Sequence, residues 1–129
     1  MNKLLFKFIG KGQMLTMLGS IAGSDGTFFK EKIAELGKLV ETMPKTYEQG
    51  DKGEDSIVHL HYFTSDFDWY ITERDVSEDQ LQAFGLACMQ CSELGYISIA
   101  DIITHGGELD LHWTVKTLRD VREQVKVRG

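Results

Sequence analysis

The stretch SIVHLHYFTSDFDWYITERD, residues 56–75, holds two runs rich in β-branched and aromatic residues, separated by SDFD. Such side chains suit a pleated, half-buried surface. In the first run Val58, Leu60 and Tyr62 alternate with Ile57, His59, His61 and Phe63, the period of two that sends successive side chains to opposite faces of a strand. SDFD then supplies a turn and WYITER a second strand, so the segment predicts an antiparallel hairpin with a loop of about five residues. On this reading Asp66 and Asp68 occupy the turn, and Glu73 shares a strand face with Trp69 and Ile71.

Working outward, LLFKFIG (residues 4–10) alternates as a short strand that GKG breaks, and residues 13–22 suit a short helix. A longer helix follows. Asp25 or Thr27 can cap it, Phe29, Ile33, Leu36, Val40 and Met43 recur at helical spacing on one stripe, and Pro44 stops it. TYEQGDKGEDS (residues 46–56) reads as a polar loop with no apolar anchor after Tyr47.

On the other side of the hairpin, Ser77 and Gln80 suit a turn of helix, QAFGLACM a strand, and ELGY a tight connection at Gly95. Ser98 and Asp101 form a capping-box pattern that predicts a short helix ending at Gly106–Gly107. ELDLHW suits a last short strand. Thr117 and Asp120 then open a C-terminal helix with Leu118, Val121 and Val125 as its apolar stripe. The expected fold is α+β: a small antiparallel sheet of about four to five strands, packed by N-terminal helices and a C-terminal helix. It forms one domain over residues 1–129, with residues 1–42 as a mainly helical N-terminal extension.

The chain has 129 residues, 42% of them hydrophobic, enough for one real core. Its net charge of −6 makes direct nucleic-acid binding an unexpected role, because phosphate recognition usually brings a basic excess. The charge is unevenly spread: residues 41–110 carry three Lys/Arg against fifteen Asp/Glu, whereas both flanking segments are mildly basic. Lys7 and Lys11 interrupt the N-terminal hydrophobics and Gly10 and Gly12 break them, so neither a membrane span nor a signal-peptide core is expected. A cytoplasmic location is the resulting expectation.

Three groups of residues invite a chemical reading. Cys88 and Cys91 have redox or zinc spacing, but zinc would need two further ligands and a redox pair would open a helix; a buried structural thiol fits Cys88 better. His59 and His61 fall on one strand face, and His112 or Glu73 would complete a three-ligand site for zinc or another divalent metal. Asp66, Asp68, Glu73, Asp75 and Glu93 make up the third group, as candidate binding residues of an acidic surface. The simpler account assigns carboxylates of this kind to turns, caps and solvated faces.

The order MPKTYEQ, VHLHYFTSDFDWYITERD, FGLACMQCSELGYISIADI and ELDLHWTVKTLRDV resembles a family of small bacterial proteins called domain of unknown function 2958, over residues 43–122. That family is similar in its aromatic DWY segment, its FG and GY-I-S segments and its LHW-type ending. The resemblance implies proteins carried by plasmids, integrative elements and phages, and it implies no catalytic residues. The expected function is a non-enzymatic accessory or interaction protein of a mobile genetic element, with a counter-defence role through its acidic surface. Its partner would be a host or element-encoded protein, and a homodimer is also open. The alternative is a small metal-dependent hydrolase or nuclease using His59, His61 and His112.

Overall fold

A computed structural model describes residues 3–88 and 92–128. The chain forms the α+β domain that the hydrophobic pattern predicts. After a 3-10 turn at Lys3–Lys7 come α1 (Lys11–Ser20) and α2 (Gly26–Thr42), then β1 (Ile57–Val58), β2 (Leu60–Phe63), β3 (Asp68–Glu73), β4 (Ala83–Cys88) and β5 (Ser92–Ile97). Next are α3 (Ile99–Thr104), β6 (Glu108–Leu109), β7 (Lys116–Thr117) and α4 (Leu118–Arg128). Five strands form an antiparallel sheet in the order β5-β4-β3-β2-β6, and β1 pairs with β7 in a separate two-stranded ribbon. No helix among the described residues is long and apolar enough to cross a membrane.

The two faces of the sheet are covered unequally. On one face Leu60, Tyr62, Ile71, Ala83, Ile97 and Leu109 share a core with Leu5, Phe8, Met14, Met17, Ile33, Leu36 and Val40. Residues 3–42 thus supply much of the main core. On the other face Tyr70, Leu86 and Cys88 pack against Val58 and against Leu118 and Val121 of α4. This helix is capped as its sequence suggests, with the Asp120 N–H donating to Thr117 Oγ1 at 3.2 Å. Ser98 likewise accepts from the Asp101 N–H at 3.1 Å and starts α3.

Four local expectations are overturned. LLFKF is a 3-10 turn rather than a strand: Leu5 and Phe8, three apart, are both buried, and the Phe8 N–H donates to the Leu5 carbonyl. SELGYI is a strand, not a tight connection, because Gly95 lies directly across from Gly85 in the β4–β5 ladder. Residues 77–80 form a turn without a helix; Asp75 Oδ1 accepts the Ser77 N–H, and the fully buried Gln80 closes the turn in a left-handed conformation (φ 57°). The strand expected over 57–63 is split at His59, so that Val58 joins the α4 side while Leu60 and Tyr62 join the main core.

The hairpin itself is present, with Phe63 paired to Asp68. Its first correction is that Asp68 begins β3 rather than sitting in the turn. Its second concerns Glu73. The ladder to β4 shifts register between Ile71 and Glu73, where Ile71 faces Gly85 and Glu73 faces Phe84. This β-bulge adds one residue, Thr72, and one residue is enough to turn every following side chain to the opposite face. Glu73 therefore leaves the face of Trp69 and Ile71.

Gly85 is the position where the bulged strand lies closest. A Cβ there would fall 2.1 Å from the Tyr70 carbonyl oxygen and 3.0 Å from the Ile71 Cα. Both are backbone atoms that cannot rotate aside. Gly85→Ala is expected to destabilise the protein by about 3 kcal/mol, a drop in Tm of roughly 10 °C. Gly95→Ala, across the ladder, meets nothing within 4 Å and should change Tm little. Thermal unfolding of the two variants side by side checks the asymmetry, and equal losses would refute it.

Candidate functional site

The segment between α2 and β1 is fastened by polar groups rather than by an apolar anchor. Glu73 is only 4% exposed. Its Oε1 accepts the Tyr47 N–H at 2.9 Å and its Oε2 the Gln49 N–H at 2.5 Å. Gln49, also buried, donates through Nε2 to the Thr72 carbonyl at 2.8 Å and accepts the Ile57 N–H at Oε1 at 2.8 Å. The side chains of one glutamate and one glutamine thus sew the segment onto the bulge in β3. Tyr47 pays for this with a left-handed backbone, φ 80°, which is unusual for a bulky residue.

Beside this anchor lies a cleft of about 320 Å³ lined by Tyr47, Gly50, Thr72, Glu73, Phe84 and Leu94 among others. Glu73 is the one charged residue of its lining. Tyr47, one of the cleft's lining residues, is hydrogen-bonded through its hydroxyl to that of Tyr96, with ring centroids 6.4 Å apart and nearly perpendicular. Phe84 meets Tyr96 edge-on at 5.8 Å. The bond to Tyr47, with desolvation and the nearby Glu73 charge as lesser causes, raises the Tyr96 phenol above the ordinary tyrosine range. Tyr47 is 75% exposed, Tyr96 56% and Leu94 44%, so an aromatic rim stands open to solvent.

The three histidines sit in three different settings. His61 is held between carboxylates, Nδ1 2.9 Å from Asp110 Oδ2 and Nε2 2.7 Å from Asp68 Oδ1, and its ring stacks on Tyr70 at 4.7 Å. His112 is exposed and stacks on Phe28. His59 lines a small cavity of about 120 Å³ with Lys32, Glu35, Asp110 and Trp113, and its buried Nδ1 has no hydrogen-bond partner. Among the described residues, no group of three His, Cys, Asp or Glu side chains is placed to hold a metal.

The five carboxylates singled out from sequence are also divided. Asp66 is exposed in the turn after β2, Asp68 bonds His61, and Glu93 is exposed on β5. Glu73 and Asp75 are buried toward the other end of the sheet. Asp75 accepts the Leu81 and Gln82 N–H groups at Oδ2, both at 3.1 Å, so it organises a loop. Cys88 is buried on β4, and Cys91 lies outside the described residues. A broader groove of about 470 Å³ runs along α2 over Ile21, Ile33 and Gly37; the charged residues at its border, Lys30, Lys38 and Glu41, are all exposed.

Sequence reasoning did not single out Tyr47, Phe84, Leu94 or Tyr96. Their local signals were weak. Leu94 and Tyr96 sit two apart around a glycine, and Tyr47 lies in a stretch that otherwise reads as loop.

Burial, with a smaller contribution from Lys52, lowers the pKa of His59 below its ordinary value of 6.5. The unfolded chain then binds this proton more readily than the folded one, so stability is full above the unfolded value and declines as pH falls below it. Tm should therefore drop more in the wild type than in His59→Gln between about pH 7.5 and about pH 5.5. Parallel melting curves check this, and an equal drop in both proteins would contradict it.

Compared with family models, with curated proteins and with solved structures, the chain has no match.

Proposed function

We propose that the protein is a non-enzymatic interaction protein that takes an extended segment of a partner protein along β5, beside the cleft over Glu73. The observation that carries this reading is the unequal treatment of the two sheet edges. At the β6 edge the Gln13 side chain of α1 stands in for a further strand: its Nε2 donates to the Leu109 carbonyl at 2.8 Å, and its Oε1 accepts the Leu109 N–H at 3.0 Å. A side-chain amide thus closes that edge. At the β5 edge, β4 is the only strand paired with it among the described residues, and Leu94 and Tyr96 are exposed there.

Open edges are hazards that proteins usually block, and an unblocked one beside an aromatic rim suits strand addition. The strain held at Tyr47 supports the same reading, since backbone outliers fixed by buried groups gather at binding surfaces. The occupant is a different protein rather than a second copy. β5 carries Glu93 within the segment of fifteen Asp/Glu against three Lys/Arg, and pairing two such surfaces would oppose like charges. A host or element-encoded protein fits, in keeping with the mobile-element family that the sequence resembles.

Selection from a display library of random peptides of about a dozen residues tests the reading. Enriched peptides should protect backbone amides of β5 from hydrogen exchange, and Leu94→Lys, at unchanged Tm, should weaken them about tenfold. Binding that survives Leu94→Lys and protects another region would overturn the proposal. So would a concentration-dependent dimer in ultracentrifugation that Leu94→Lys abolishes, because it would place a second copy on the edge.

A further inference from the structure

We infer that the cleft over Glu73 accepts a lysine or arginine side chain carried by the incoming strand; this inference rests on the edge-strand reading and adds its side-chain specificity. Glu73 is the only charged residue lining the cleft, and no Lys, Arg or His among the described residues lies within ion-pair distance of it. Each of its oxygens accepts one backbone N–H, which leaves lone pairs for a further donor. A carboxylate shielded from water attracts a cation more strongly than an exposed one would.

The walls suit the same guest. Tyr47 and Phe84 line the cleft, and Tyr96 braces both from outside it, edge-on at 6.4 Å and 5.8 Å between centroids. Ring faces carry the negative lobes of the aromatic quadrupole, so a cation that enters beside Tyr47 and Phe84 is attracted where it meets a ring face. Leu94 and Phe84 offer apolar surface for the methylene stem of a long basic side chain. The volume, about 320 Å³, leaves room for a long side chain. The surrounding acidic excess draws a basic segment toward this edge.

The test uses small probes, so that it does not depend on knowing the partner. Acetyl-lysine methylamide, acetyl-arginine methylamide and the neutral acetyl-norleucine methylamide are titrated at equal concentrations into the ¹⁵N-labelled full chain. The two cationic probes should shift the amide signals of Tyr47, Gln49, Gly50 and Glu73, and norleucine should leave them in place. Tyr96→Leu should weaken the cationic probes about tenfold while Tyr96→Phe, which keeps the ring, binds as the wild type does. Glu73→Gln should weaken them too. The Tyr96 pair keeps the test decisive if loss of the Glu73 carboxylate loosens the Tyr47 segment.

Equal shifts from norleucine, or cationic shifts confined to exposed acids such as Glu93, would overturn the inference. Selected peptides that protect β5 yet carry no basic residue would also overturn it, while leaving strand addition intact. Failure to find any peptide on β5 would instead count against the edge-strand reading itself.

Discussion

Thr72 is one residue more than β4 can match, and the way the sheet absorbs it decides where Glu73 points. Without the bulge, strict alternation would carry the Glu73 carboxylate to the helix-covered face beside Ile71, where a charge has no donors to meet it. With the bulge, it reaches the backbone of Tyr47 and Gln49, and Gln49 in turn reaches back to the Thr72 carbonyl. The closure is mutual. The kink is held by the segment that it anchors, and the Thr72 hydroxyl adds a bond to the Phe84 carbonyl across the ladder. Gly85 is the counterpart on β4, the residue whose missing side chain admits the displaced backbone.

A second constraint is the imbalance between the faces. Two N-terminal helices and α3 bury one side of the sheet, whereas α4, the Trp113 region and the segment fastened by Glu73 cover part of the other. The Trp113 indole N–H donates to the Val58 carbonyl at 3.0 Å, and its ring lies near His61 and Tyr70, so this corner is filled by aromatic stacking. His61 ties the same corner together through Asp68 on β3 and Asp110 just after β6. What is left over is the β4–β5 half of that face, which is where the open edge and the aromatic rim occur.

The helices were legible because their information is local. Ile33, Leu36 and Val40 mark a buried stripe by spacing alone, and Ser98 and Thr117 accept the N–H groups that their capping patterns promise. The hairpin was legible for the same reason. β5 was not, because a glycine between Leu94 and Tyr96 signals a turn unless one knows that Gly85 stands across from it. The 3-10 turn was missed because LLFKFIG satisfies alternation and a spacing of three at once, and tertiary burial of Leu5 and Phe8 chose the latter. At the site, Glu73 and Asp75 were visible as carboxylates, but what they do depends on backbone N–H groups brought to them from elsewhere in the chain. The positive φ of Tyr47 follows from that closure and has no local sequence mark.

The bond between Gln13 and Leu109 spans 96 residues of chain. During synthesis, α1 leaves the ribosome long before its edge-strand partner exists, and Met14 and Met17 on that helix wait for strands that are likewise still to come. A core assembled from contacts this distant in sequence closes late and folds slowly. The apolar faces of the N-terminal helices are therefore covered only once the strands that follow them in the chain have been made.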